Sequence, residues 1–250
     1  MQAYLTLARR ELNGFFLSWT GYVIIATVLF LVGLSFVSML QALNSEPITA
    51  SITELFYETF SFWLILLMAA PVITMRTLAQ EKNSGTFETL MTTPVSDTQV
   101  VLAKFSGAML FYFIMWLPLL GMILVLRHYT NEPTALDTGA LVTMFGGVML
   151  IGALFIALGC LASSLTRSQM IAAMLSFAMG ISLFLLGFLS YAVPPQLGWV
   201  AQALNHLNLL EHMRDFARGM VDTRQVAFYL TSTFAVLFLT CRVVESRKWR

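Results

Sequence analysis

Six uninterrupted apolar runs, at residues 19–42, 58–79, 100–126, 139–164, 168–192 and 225–243, constrain this chain more than any other feature. Each is long enough to cross a hydrocarbon core of about 30 Å as a helix, and none carries a charge near its middle. In lipid every backbone N–H and C=O must be satisfied internally, so a run of this kind forms a helix. The runs are continuously apolar rather than alternating, which excludes a β-barrel. With 58% hydrophobic and 11% charged residues, against roughly 25% charged in a soluble domain, too little polar surface remains to cover a water-soluble globule. The expected fold is an all-α polytopic membrane protein with six transmembrane helices, one domain spanning residues 1–250.

Lysine and arginine set the orientation, because they collect on the cytosolic side of a membrane. With the N-terminus inside, ten of the fourteen fall on that side: Arg9, Arg10, Arg76, Lys82, Lys104, Arg167, Arg242, Arg247, Lys248 and Arg250. Arg127, Arg214, Arg218 and Arg224 fall outside, and the loop 43–57 carries Glu46 and Glu54 with no cation. Both termini are therefore expected in the cytosol. A net charge of +1 and the lack of a basic stretch before the last residues give no sign of nucleic acid as a partner. Cys160 and Cys241 lack CxxC or metal-ligand spacing and read as small packing residues. The first sixteen residues have no compact apolar core with a cleavage site, so the first span reads as retained.

Residues 3–16 carry Leu5, Ala8, Leu12 and Phe15 or Phe16 on one face, with Arg9, Arg10 and Glu11 elsewhere, as in a helix lying on the membrane surface. The alternative is an extension of the first span, and Gly14 favours a break. Pro71 and Pro118 each remove a hydrogen bond inside a span and bend it. Glycines 139, 146, 152 and 159 recur along the fourth span on about one face, where a neighbouring helix can approach closely. Between the fifth and sixth spans two short amphipathic outer helices are expected within 195–218, half sunk in lipid. The first carries a stripe of Leu197, Val200, Ala201 and Leu204. The second has Asn208 and Glu211 as a capping pair, Leu210, Met213 and Phe216 or Ala217 as its apolar face, and Gly219 as its stop. Glu211–Arg214 and Asp215–Arg218 stand at the i+3 spacing of ion pairs. These helices either cap a pathway or plug the outer end of the bundle.

The sequence lacks a phosphate-cradling GxxxxGK(S/T) loop, HExxH and GxSxG, so nucleotide binding by that loop and the corresponding hydrolases are disfavoured. No catalytic, metal-binding or cofactor-binding residue is assigned. His206 and His212 lie six apart, off the i, i+4 spacing of two ligands on one helical face, and read as surface histidines. Span interiors without ionisable residues also weigh against an ion-coupled transporter.

What remains is Met75–Lys104, the longest stretch too polar for the bilayer. The second span is expected to run on through Arg76 to about Lys82, with Asn83, Ser84 and Gly85 breaking it. A short lateral helix follows at 84–93, with Glu88 in its first turn and Phe87, Leu90 and Met91 forming a small apolar face. Thr92, Thr93 and Pro94 end it. Ser96 and Gln99 then form a capping box that launches the third span, with Lys104 at headgroup level. Read alone, this helix either docks a partner or rests in the headgroups.

The pattern R-x-L-A-x-E-x-x-S-G-T-x-E-x-L-x-x-x-P-V at Arg76–Val95, followed by V-x-A-K at Val101–Lys104, resembles the ABC-2 class of ATP-binding-cassette permeases. Gly159–Phe177 resembles that family's junction between the fourth and fifth spans. Residues 207–230 and the terminal ESRKWR resemble its gliding-motility and copper-nitrous-oxide-maturation branches, the former more closely. The resemblance implies a permease of the bacterial inner membrane, dimeric with a second copy or paralogue and driven by two separate ABC ATPase subunits. ATP and magnesium would be bound by those subunits and not by this chain. It also makes residues 3–16 an elbow helix, 84–93 the coupling helix and 195–218 a reentrant outer segment. The ATPase contacts it implies are Ser84, Gly85, Thr86, Phe87, Glu88, Leu90 and Met91, with Arg167 as a minor second contact. A periplasmic or auxiliary membrane subunit is a further expected partner. The rival from another class is an ATP-independent channel or secondary transporter.

Overall fold

The computed structural model describes residues 2–45, 52–86, 95–130, 138–192 and 198–246, and among them every regular element is a helix. In chain order these are α1 (Gln2–Phe16), α2 (Trp19–Ser45), α3 (Ile52–Tyr57), α4 (Phe60–Thr74), α5 (Ala79–Ser84), α6 (Asp97–Thr130), α7 (Thr138–Leu165), α8 (Gln169–Ala192), α9 (Gly198–Asn205), α10 (Leu209–Ala217) and α11 (Thr223–Ser246). Six helical stretches are long and apolar enough to cross a membrane: α2, α4 with α5, α6, α7, α8 and α11. They coincide with the six expected runs. The short α3 falls within the expected outer loop 43–57, where no helix is anticipated.

The bundle is built around α7, which packs against α4, α6, α8, α10 and α11. Apolar transfer gives little drive between helices already in lipid, so close packing must hold them. Glycine supplies that closeness. A Cβ on Gly152 would lie 2.2 Å from the Tyr112 ring of α6, and one on Gly159 would lie 2.0 Å from Thr74 Oγ1 of α4. The close neighbours of these two glycines thus belong to the same chain. Gly146, by contrast, faces open space, and its neighbour Gly147 takes the expected role by seating the Phe216 ring of α10. An aromatic core fills the centre: Phe62 lies 5.6 Å from Trp116, which lies 6.2 Å from Tyr112. All three are fully buried.

The N-terminal helix departs from expectation in two ways. Its Ala8, Leu12 and Phe15 side pack on α6, with Phe15 stacked on Phe111 at 4.5 Å, while Leu5 stays exposed. Glu11 lies on this packed side rather than away from it, since it meets Lys104 of α6 at 2.8 Å. The corner into α2 falls at Leu17–Ser18, not at Gly14. It is Gly21 that permits the corner, because a Cβ there would stand 2.0 Å from the Phe15 carbonyl oxygen.

At the opposite end α10 is pinned from several sides. Asn208 caps it by accepting from Leu210 and Glu211 N–H at 3.1 and 3.3 Å, and donates from Nδ2 to Ser190 of α8 at 2.9 Å. Glu211 itself is exposed. Gly219, at φ +82°, ends the helix, with Met220 N–H donating to Asp215 O and Gly219 N–H to Phe216 O, a Schellman stop. The buried face is Leu209, His212, Met213, Phe216 and Ala217, turned from the expected one so that Leu210 is only half-buried. The turn follows from docking on α7, where Phe216 enters the notch at Gly147. His212 is therefore not a surface residue: it is 5% exposed, and its Nδ1 lies 2.9 Å from the Tyr229 hydroxyl of α11. His206 is exposed. The i+3 ion pairs give way to longer-range ones. Arg218 Nη2 and Nε reach Glu54 of α3 at 2.6 and 2.9 Å, Arg214 lies 3.6 Å from the same carboxylate, and Asp215 accepts from Gln225 at 2.6 Å. The stripe at Leu197, Val200 and Ala201 lies outside the described side chains.

Candidate coupling site

The polar loop between the second and third spans begins with a break that the sequence pattern does not foretell. α4 stops at Thr74, four residues turn, and α5 resumes at Ala79. At the restart, the Leu78 and Ala79 N–H groups both donate to Ser163 Oγ of α7, at 3.1 and 3.0 Å. A helix start leaves amides without intrahelical acceptors, and a serine from another span supplies one here. Thr74 Oγ1 and Thr77 Oγ1 donate to the carbonyls of Ala70 and Thr74. One turn later the buried Lys82 donates its Nζ to the Ser164 carbonyl. α5 is thus riveted to the end of α7, beside the turn that carries Arg167.

Four charged side chains tie α5 to the rest of this end. Lys104 of α6 is 3% exposed and sits between Glu11 Oε1 of α1 and Glu81 Oε1 of α5, at 2.8 and 2.9 Å. Arg10 approaches Glu81 at 3.1 Å and Glu11 at 3.6 Å. A buried cation is tolerable only when paired and hydrogen-bonded, and two carboxylates meet that requirement. Lys104 is thus held between two carboxylates, and it locks three helices together. No local spacing announces this knot, since its members come from residues 10–11, 81 and 104. The only sequence signal is that charges sit at the membrane edge of a chain that has few.

The expected contact residues fall as follows. Ser84 is the last residue of α5, not the start of a lateral helix, and its hydroxyl donates to Glu81 O at 3.3 Å. Gly85 closes α5 in the left-handed conformation at φ +73°, open to substitution by nothing that carries a Cβ without strain. Thr86 is exposed, with its hydroxyl 2.8 Å from Ser84 Oγ. Phe87, Glu88, Leu90 and Met91 lie outside the described residues, as does the rest of 87–94. The chain re-enters at Val95, and Ser96 caps α6: Gln99 N–H donates to Ser96 Oγ at 3.3 Å, and Ser96 N–H to Gln99 Oε1 at 3.4 Å, the reciprocal box expected there. Arg167 is exposed on the turn between α7 and α8. Ser84, Gly85, Thr86 and Arg167 thus share one end of the molecule, with α5 in contact with both α7 and α8.

The two arms of the loop are cross-braced through Glu81 and Lys104, and α1 is bound into the same brace. Such an arrangement ties the second and third spans to each other at this end of the molecule. Among the described residues no cluster of histidine, cysteine and carboxylate side chains is placed to hold a metal.

No curated protein matches the chain at a significant level. The family profile described as ABC-2 family transporter protein matches residues 5–243, nearly the whole chain. That span takes in most of α1, the braced loop and, but for the last turn of α11, all six membrane-length helices, and the chain belongs to the ABC-2 family of transporter membrane proteins.

Proposed function

We propose that this chain is the permease subunit of an ATP-driven ABC-2 transporter in a bacterial inner membrane, with both termini in the cytosol. It works as a dimer, with a second copy or a paralogue, and two separate ATPase subunits supply the energy. The segment that follows Gly85, up to residue 93, serves as the coupling segment in a groove of the ATPase, contacting it through Thr86, Phe87, Glu88, Leu90 and Met91, with Ser84 and Gly85 at the entry and Arg167 as a second point. α1 serves as the elbow helix, and α9 with α10 as the reentrant outer segment. ATP-driven closure of the ATPases moves each coupling segment, and the stroke changes how the two permeases pack.

One observation carries this reading: the Glu11–Lys104–Glu81 lock, together with the Ser163 and Ser164 rivets, makes both arms of the loop one rigid unit with α1 and α7. A loop that merely joined two spans would have no need of a buried charge knot. The likeness of residues 207–230 and the terminal ESRKWR to the gliding-motility branch supports a variant in which the stroke is delivered as force to periplasmic or auxiliary membrane partners, not as export of a solute.

The test replaces Phe87 and Leu90 by Asp in the assembled complex. Loss of apolar anchors at the centre of an interface costs about 2 kcal/mol or more each, so roughly thirtyfold weaker ATPase retention is expected for each substitution. Turnover should also stop responding to the permease. Full ATPase binding with unaltered coupling would overturn the proposal.

A further inference from the structure

A polar cavity of about 630 Å³ opens between α1, the start of α2 and the α4–α5 break, and it is walled by Arg10, Glu11, Arg76, Glu81 and Lys104, with Ser18 and Thr20 along one side. Its charges do not cancel. Glu11 and Glu81 each lie within 4 Å of both Lys104 and Arg10. Arg76 has no such carboxylate among the described residues. Its Nη1 donates to Thr20 Oγ1 at 2.8 Å, while its Nε is shielded from solvent with no acceptor. Three cations against two carboxylates leave one positive charge, and it resides on the guanidinium that meets a hydroxyl in place of a carboxylate. Glu81 Oε2 is the other unmatched atom in the wall. It repels an anion from its own side, so a ligand is confined to the side of Arg76, Ser18 and Thr20.

The level of the cavity identifies the source of that anion. Ser18 and Thr20 flank Trp19, which is 89% exposed, and Leu17 beside them is 86% exposed. An outward tryptophan at the foot of a membrane-spanning helix sits in the headgroup region. Thr77, Gln80, Ser84 and Thr86 complete the polar wall, and Gly14 and Phe15 supply an apolar edge beside it. A guanidinium fork suits a phosphate, which it binds through two N–H donors at once. We infer that this cavity binds the phosphate headgroup of an anionic phospholipid from the membrane leaflet at the α1 end, held by Arg76 and Thr20. The cavity shares Ser84 and Thr86 of its wall with the ATPase contacts proposed above, but Arg76, Ser18 and Thr20, which would hold the phosphate, are not among those contacts. It places a lipid against the braced loop, so that the charge of the leaflet bears on the lever that couples the subunits.

The experiment uses the full chain in a neutral detergent and titrates it with phosphatidylglycerol, phosphatidylcholine or inorganic phosphate, following thermal unfolding and lipid retention by native mass spectrometry. Phosphatidylglycerol should raise the unfolding temperature and stay bound, and the other two should not. Arg76→Gln should weaken phosphatidylglycerol binding roughly tenfold or more. Arg242→Gln, at the exposed end of α11, should leave it unchanged. Gly14→Leu guards against a folding defect in the Arg76 variant, because a Cβ at Gly14 meets nothing within 4 Å; it should obstruct the cavity and abolish the shift while the protein alone melts normally. Equal binding of the two lipids would overturn the inference, as would an inorganic phosphate effect as large as that of the lipid. So would lipid binding that survives both Arg76→Gln and Gly14→Leu, or an Arg76→Gln defect confined to ATPase retention in every lipid.

Discussion

At the residue scale the structure separates glycines that a pattern places together. Gly146 faces open space, whereas Gly152 and Gly159 touch a tyrosine ring and a threonine. Neither neighbour swings away freely: the Tyr112 hydroxyl bonds to Val148 O at 3.3 Å and Thr74 Oγ1 to Ala70 O at 2.7 Å. Gly146→Ala should therefore be neutral or stabilise the helix by up to about 1 kcal/mol through reduced backbone entropy. Gly152→Ala and Gly159→Ala should each destabilise by about 1–3 kcal/mol through overpacking. Thermal melts of the three variants in one detergent check this, and equal melts would show that the close approaches are not real constraints. Periodicity announced small residues on the fourth span, but not which of two adjacent glycines meets a partner. A turn of 100° per residue separates them, and only the neighbour's position decides.

His212 makes a second argument at this scale. Burial holds its imidazole pKa below the usual value, His206 adds to that, and Asp215 and Asp222 oppose it. The folded state therefore favours neutral His212, hydrogen-bonded to Tyr229. In the unfolded chain the ring protonates as pH falls through about 6.5. Stability from this group is thus complete above that pH and declines below it, since the unfolded state binds the proton first. Urea or thermal unfolding across pH 5–8, compared with His212→Gln, measures the effect: the variant should lose less stability between neutral and acid pH than the parent. A histidine read in isolation looks like a surface residue; only the α10–α11 contact reveals that it is buried.

At the element scale α10 shows what a cap achieves when it is also a rivet. Asn208 satisfies two helix-start amides and ties α8 through Ser190. Asn208→Ala should cost about 2 kcal/mol, at the upper end for an N-cap, because a buried interhelical bond is lost with it. Hydrogen exchange should quicken across 209–217 and leave α4 and α7 protected; unchanged exchange in α10 would show that Asn208 is dispensable to it. This cap and the Gly219 stop were legible because both are local, set by residues within one turn of the helix end. The short α3 was not, since Ile52–Tyr57 is held by tertiary ties: Thr53 donates to Ala217 O at 2.6 Å, and Glu54 meets Arg218. The break between α4 and α5 was hidden for the same reason, its amides being answered by Ser163 from eighty-odd positions away.

At the scale of the whole molecule the two ends differ in kind, and that difference bears on how the protein sits in its membrane. One end gathers α1, the braced loop and the α7–α8 turn; the other gathers α3, α9 and α10. The apolar runs made the six spans readable because crossing hydrocarbon imposes a minimum length on each. The charge knot at the α1 end was not readable, because a buried lysine is identified by its partners and not by its own neighbours in sequence. The lysine and arginine bias favours the cytosol for that end, and the coupling proposal requires it, since ATP is available only there. Single-cysteine labelling settles the matter. Cys160 is buried and Cys241 half-buried, so both are first replaced by Ala. Ser84→Cys or Arg167→Cys is then introduced at one end, and Trp199→Cys or Glu211→Cys at the other, all four being exposed positions. A membrane-impermeant maleimide applied to spheroplasts should label Trp199→Cys and Glu211→Cys at once, and Ser84→Cys and Arg167→Cys only after permeabilisation. The reverse pattern would put the braced loop outside, away from any ATPase. The coupling mechanism would then fall, while the fold that carries it would stand.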